Sequence, residues 1–373
     1  MNFIQALHEQ GYEVVIIAPV DDFIKHLSGR EDLQFIPIQH LSRKTLNPFK
    51  DIRLLLEFYR IYKKWRPDLI LHYTIKPNIY GSIASTLSGL RSSAVIPGLG
   101  YSYSRKGVLR SFVRILYRIV MPLSDFVFFE NQEDRKDFVQ SRFVKGDQAI
   151  ALKGCGVDIT HFAPKIPPSH NGRVVFLFMG RLIRDKGIYE FVEAAKIIHD
   201  HFPESEYWIM GHIDEHNPNS IGMKDFMSWV EHPNIRYLGF EEDVRSIIKD
   251  VDCVVLPSYY PEGVPRVLQE GMAMAKPIIT TDAKGCREAV DDSSNGLLVV
   301  PRDIKSLAGA MEKICLMEPH EREAMGAAGR KKAIHEFDEQ ISIRVYLECI
   351  RHSLGEAGHL TAQAKRKKRI PIK

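Results

Sequence analysis

One repeated unit constrains this chain more than any other feature: a short apolar run rich in Val, Ile, Leu and Phe, followed by an amphipathic helical stretch. The first series of runs is VVIIAP (14–19), LQFIPI (33–38), LILHY (69–73), SAVIPG (93–98) and FVFFE (126–130). A second series follows with VVFLFMG (174–180), SEYWIMG (205–211), IRYLGF (235–240), CVVLPS (253–258), PIITT (277–281) and GLLVV (296–300). Apolar runs without polar alternation are the pattern of strands buried on both faces, and strand–helix alternation gives parallel sheets covered by helices on both sides. Between the runs, a helix at 188–199 carries Ile188, Phe191, Val192, Ala195 and Ile198 on one face. The stretch APKIPPSHNG (163–172) separates the series. The sequence therefore predicts an α/β protein of two doubly wound, Rossmann-like domains, 1–164 and 165–345, with a helix over 346–363 and a basic tail over 364–373.

The start departs from this rule. Residues 2–10 read as a helix, with Phe3, Ile4 and Leu7 apolar and Gly11 just past its end. A doubly wound domain normally opens on a strand near the sheet centre, and without it two ladders go unpaired. The reading expects one further strand and loop upstream, roughly 15–25 residues.

Composition narrows the class. At 45% apolar and 26% charged, the 373-residue chain is neither disordered nor fibrous. No window approaches 18 consecutive apolar residues and no basic-then-apolar leader opens the chain, which argues against a membrane span and secretion. The five cysteines (155, 253, 286, 315, 349) form no CxxC pair, the usage of reduced thiols in a cytosol. The net charge of +4 is divided unevenly: +6 over 1–164, −8 over 165–363 and +6 over the last ten residues. Such a division speaks to partners.

In open α/β sheets ligands bind beyond the carboxyl ends of the strands. After VVFLFM come Gly180, Arg181 and Lys186, and then a helix, so two cations stand near a helix N-terminus that already favours an anion. That suits a diphosphate; it also suits a solvated basic loop, and spacing alone leaves both open. After CVVLPS comes YYPEGVPRVLQEGMA (259–273). Gly263 permits close backbone approach, and Pro265 suits the first turn of the next helix. Glu262 precedes that helix and Glu270 lies within it, about 7–8 Å further along the axis. One carboxylate can then meet a sugar hydroxyl while the other meets a ribose.

The stretch PSYYPEGVPRVLQEGMAMAKPIITTDAKGCREAV resembles the donor-site signature of glycosyltransferase family 4, with Glu262 and Glu270 at its paired glutamates. GRLIRDKG resembles the family's arginine–lysine diphosphate clamp, and GVDITHF (156–162) its lead-in to the second domain. TIKPNIYGS (74–82) and PGLGYSY (97–103) resemble the front domain of bacterial members that add a sugar, often N-acetylgalactosamine, to an undecaprenyl-diphosphate-linked saccharide. The resemblance covers almost the whole chain. It implies a GT-B fold, a UDP-sugar donor (UDP-GalNAc, UDP-GlcNAc or a UDP-hexose) on the second domain, an acceptor on the first, and retention at the anomeric carbon. It further implies that Arg181 and Lys186 hold the diphosphate, Glu262 the donor sugar and Glu270 the ribose, with amides near Gly263, Val264, Pro265 and Val267 approaching phosphate and sugar. Lys76, Asn78 and the loop Gly98-Leu99-Gly100 are the candidates for the acceptor side. Three features depart from the family: the first strand with its glycine loop, an additional residue in SYYPEG, and Ala275 where glycine is frequent.

A metal is not expected. Asp250-Val251-Asp252 has the form of a metal-binding pair but precedes its strand, at the wrong end of the sheet. His212, Asp214 and His216 lack a further ligand cluster. The absence of G-x-G-x-x-G after any strand argues against a nicotinamide enzyme, and the basic clusters lack the aromatic interleaving of nucleic-acid binders. Residues 105–121 place Arg105, Lys106, Arg110, Arg114 and Arg118 among Leu109, Phe112, Val113, Leu116, Ile119 and Val120. That fits a helix in a membrane interface, or equally a core helix with snorkelling arginines. The tail KRKKR (365–369) suits anionic lipid or a solubilising end. The expectation is a peripheral enzyme at the inner face of the cell membrane, with a UDP-sugar epimerase or an inactive nucleotide-sugar binder as alternatives.

Overall fold

The computed structural model describes residues 2–20, 33–41, 48–100, 108–165, 173–214, 217 and 219–355. The tail KRKKR, Arg105, Lys106 and His216 lie outside them.

The front domain runs α1 (Asn2–Glu9), β1 (Val14–Ala18), β2 (Leu33–Pro37), α2 (Pro48–Trp65), β3 (Leu69–Tyr73), a single turn Pro77–Gly81, α3 (Ser82–Ser88), β4 (Arg91–Ile96), α4 (Val108–Val120), β5 (Val127–Phe129), α5 (Gln132–Gln140) and β6 (Ala149–Ala151). The rear domain runs β7 (Val175–Met179), α6 (Ile188–His201), β8 (Glu206–Met210), α7 (Met223–Val230), β9 (Ile235–Tyr237), α8 (Arg245–Ile248), β10 (Cys253–Leu256), α9 (Arg266–Ala273), β11 (Ile278–Thr281), α10 (Cys286–Ala289), β12 (Gly296–Val299), α11 (Ile304–Leu316) and α12 (Pro319–Lys332). A last helix, α13 (Glu339–Ser353), follows.

Every ladder between these strands is parallel. The rear sheet has the order β12-β11-β10-β7-β8-β9, with β7 and β10 at its centre. Their sequences, VFLFM and CVVL, are buried throughout, which is why they read as unbroken apolar runs. One continuous core of aliphatic and aromatic side chains lies between this sheet and its helices.

The front sheet stands in two pieces. Among the described residues β1 pairs with β2 alone (Val14 opposite Leu33, Ala18 opposite Pro37), and β3-β4-β5-β6 form a separate sheet. Among the described residues no ladder joins β1 to β3. β6 is an edge strand of three residues, Ala-Ile-Ala, too short to stand out in the sequence.

α13 crosses back to the front domain. Its Ile343, Leu347 and Ile350 pack with Leu7 of α1 and with Leu69 and Leu71 of β3. Tyr346 lies against Phe128 of β5, their ring centroids 4.4 Å apart. The chain thus passes between domains twice, near Gly156 and near Asp338; there Val157 N donates to Phe337 O at 2.8 Å and Glu339 N to Val157 O at 3.1 Å.

Candidate active site

The carboxyl ends of β7 and β10 are adjacent, so the loops that follow them meet. After β7 the chain passes Gly180 and Arg181 and makes a short turn, Arg184–Lys186, that leads into α6. Gly187, at φ 80°, forms the junction: a Cβ there would lie 2.2 Å from Pro257 O of the other loop. Tyr259 N donates to Asp185 O at 2.9 Å and Ser258 Oγ to the same oxygen at 3.4 Å. Packing of backbone on backbone therefore fixes Lys186 beside the loop that carries Glu262.

The two side chains touch. Lys186 Nζ donates to Glu262 Oε1, and Ser258 Oγ donates to the same oxygen at 3.1 Å. Lys186 is 8% exposed, so its charge needs this carboxylate. Tyr260 meets both cations, its ring centroid 5.5 Å from the Arg181 guanidinium carbon and 5.7 Å from Lys186 Nζ. Arg181 also pairs with Asp214 at 3.3 Å. The additional residue of SYYPEG thus falls in a segment whose second tyrosine is the partner of both cations.

Glu270 is not in direct contact with this group. It lies one helical turn from Arg266, whose Nε donates to its Oε1 at 2.9 Å. Burial pushes its carboxyl above the ordinary range, and the guanidinium beside it works the other way. Arg266 and Val267 stand in the first turn of α9, where helical amides have no intrahelical partner.

The amides expected to face phosphate from Gly263 and Val264 are used elsewhere. Gly263 N donates to Pro97 O at 2.6 Å and Val264 N to Glu130 O at 3.4 Å, both in the front domain. Gly98 and Gly100, expected on the acceptor side, turn out to belong to the same junction: Gly100 N donates to Pro261 O at 2.9 Å. Lys76 bonds Asp51 at 2.8 Å, and Asn78 is buried, its amide donating to Val95 O at 2.8 Å. Asn78 therefore braces the end of β4 from inside the domain.

Glu130, at the end of β5, was not singled out from the sequence. It abuts Gly263, and its carboxyl is pushed up to about 7, first by burial and then by the charge of Glu262. Its signal in the sequence is its place after a strand, the same cue that located Arg181 and Glu262. Among the described residues no cluster of three or more His, Cys, Asp or Glu is arranged to hold a metal ion. No helix there is long and apolar enough to cross a membrane.

Two family models match consecutive parts of the chain. "Glycosyl transferase 4-like" covers residues 1–131 and "Glycosyl transferases group 1" covers 161–332. This chain belongs to that glycosyltransferase family. A glycosyltransferase of Campylobacter jejuni, N,N'-diacetylbacillosaminyl-diphospho-undecaprenol alpha-1,3-N-acetylgalactosaminyltransferase, is 27% identical over 368 residues, 93% of each chain. The Escherichia coli UDP-Gal:alpha-D-GlcNAc-diphosphoundecaprenol alpha-1,3-galactosyltransferase is 25% identical over 283 residues, 73% of this chain and 72% of its own. In fold the glycosyltransferase resembles the Anabaena protein HepE in complex with UDP, with a TM-score of 0.75 and 17% identity over 94% of this chain and 95% of that one. The fold is GT-B: two Rossmann-like domains with parallel sheets.

Proposed function

We propose that this glycosyltransferase moves a sugar from a UDP-sugar, with retention, onto a saccharide carried on a polyprenyl diphosphate. The observation that carries the reading is the Lys186–Glu262 contact under Tyr260 and beside Arg181. It joins a doubly cationic subsite to a carboxylate that can select a sugar. The names of the Campylobacter and Escherichia relatives, both acting on undecaprenyl-diphosphate saccharides, support the acceptor class. HepE binds UDP on the same fold, which supports the donor nucleotide.

In this mechanism the donor diphosphate displaces Glu262 from Lys186, and the freed carboxylate takes a hydroxyl of the donor sugar. The anomeric C–O bond to the diphosphate breaks as a bond forms to the acceptor oxygen on the same face, and the acceptor's proton leaves with the diphosphate. Arg181 and Lys186 stabilise the negative charge that develops there; fixed charges in a partly dry site do this without reorganising. Transfer is expected to persist in chelator, since two side-chain cations fill the role a metal ion has elsewhere.

The test is a mass-spectrometric screen of UDP-sugars against undecaprenyl-diphosphate saccharides. An acceptor gaining one sugar, with the α linkage kept from an α-linked donor, supports the reading. Conversion of the donor without any acceptor would instead indicate an epimerase. Glu262→Gln is expected to reduce transfer at least 100-fold while UDP still binds, because Arg181 and Lys186 remain.

A further inference from the structure

The loop that carries Glu262 follows β10 of the rear domain, yet the front domain holds much of its backbone. Gly263 N donates to Pro97 O, Gly100 N to Pro261 O and Val264 N to Glu130 O, at 2.6, 2.9 and 3.4 Å. The first is short, the second of ordinary length and the third long. No side chain separates the two backbones. A Cβ on Gly98 would stand 2.5 Å from Glu262 Cα, and one on Gly263 would stand 2.7 Å from Pro97 O. Contact this close leaves the loop few other seatings.

A second set of contacts closes the same corner. Lys284 bonds Asp134 at 3.1 Å and Asp137 at 2.6 Å on α5, and Arg287 meets Glu133 at 3.4 Å. Gln132 N donates to Glu288 Oε1 at 2.9 Å. These groups join the first turns of α5 to the segment after β11. Arg181 and Lys186, in contrast, are placed wholly by rear-domain elements.

From this arrangement we propose that Gly98 and its loop Pro97–Gly100 are a positioning element for Glu262, which aims its carboxylate only when the two domains are closed. The proposal rests on the reading of Glu262 as the donor sugar's contact. Its physical basis is tolerance: a reacting geometry is lost within about 0.5 Å, and separating the domains frees three peptide tethers of a short loop. Diphosphate binding needs no front-domain atom and should be indifferent to that separation.

The test uses the full chain and four variants. Gly98→Ala pushes a methyl group against the Glu262 backbone. Lys284→Glu sets like charge against Asp134 and Asp137, leaving in place the rear-domain contact of the next residue, Gly285, with the Glu262 and Gly263 carbonyls. In both, the dissociation constant for UDP, measured by calorimetry, is expected to stay within twofold. Amide exchange, read with UDP present, is expected to rise together in residues 98–100 and 262–264 and to stay unchanged in Tyr259, which the rear domain anchors, and in β7 and β8. Transfer, followed with the donor–acceptor pair the product screen returns, is expected to fall at least tenfold in kcat. Asp137→Lys added to Lys284→Glu should recover part of that loss. Unchanged exchange at 262–264, or transfer within twofold of the parent, overturns the proposal; if Gly98→Ala does not fold, Lys284→Glu decides alone. Glu262→Gln separates the two claims. Normal transfer in that variant refutes the reading of Glu262 itself, whereas its loss beside a fully active Gly98→Ala refutes only the positioning role.

Discussion

Glu130 and Glu262 face each other across the domain junction, and among the described residues only Glu262 has a cation in contact. The folded protein therefore holds a proton on Glu130 up to about pH 7, against an ordinary value of 4.5. Between those values the native state binds more protons than the unfolded chain, so stability falls as pH rises through the window. The penalty is fully present above it and amounts to at most about 3 kcal/mol. Glu130→Gln is expected to raise stability at pH 8 and to change little at pH 4, checked by denaturant titration at both. Tyr260 makes a separate prediction: its ring faces two cations, each contact being worth about 0.5–1 kcal/mol. Tyr260→Leu is expected to weaken UDP binding about five- to thirtyfold in calorimetry. The strand-end rule located Arg181, Lys186 and Glu262 in the sequence because it needs only chain order. Glu130 stands after a strand as well and so was within reach of the same rule, but its part, like that of Tyr260 and Ser258, depends on which loops lie side by side.

At the scale of elements, apolar runs and strands coincide closely: VVFLFMG became Val175–Met179 and CVVLPS became Cys253–Leu256. A strand buried on both faces leaves this trace because each residue meets a helix on one side or the other. β6 left none, and the division of the front sheet is a matter of pairing, which no single run encodes. The end of α9 was legible as a departure from glycine at Ala275. That residue has φ 56°, with Lys276 N bonded to Gly271 O at 3.0 Å and Ala275 N to Met272 O at 2.9 Å, a helix terminus that calls for a left-handed residue. A β-carbon there costs about 1–2 kcal/mol, offset in part by the greater freedom glycine has in the unfolded chain. Ala275→Gly is therefore expected to stabilise the protein by about 0.5–1 kcal/mol, read as a shift in denaturation midpoint with unchanged slope.

For the whole molecule, the proposed lipid-borne acceptor raises the question of which surface would meet it, and α4 supplies an answer that can be tested. Its inner face buries Val113, Tyr117 and Val120 in the front core, while Phe112, Ile115 and Ile119 line the outer face at 51, 57 and 61% exposure. One helix thus carries two apolar faces, and among the described residues only the inner one is packed against the core. Arg114 is turned inward, onto the Phe143 ring at 4.8 Å and Ser141 at 3.1 Å. No acidic residue occurs from 105 to 124, so the helix and its approach are purely basic. An outer apolar row among arginines fits the interface of an anionic bilayer, where apolar burial and charge attraction add. Replacing Phe112, Ile115 and Ile119 together by Ser should lower partition onto phosphatidylglycerol vesicles at least tenfold. It should leave the melting temperature and UDP affinity unchanged, because the row contributes nothing to the core. Raising salt should weaken the remaining binding, as Arg110 and Arg118 act through a screened field. Equal vesicle binding by parent and variant would mean that this face serves some purpose other than the membrane.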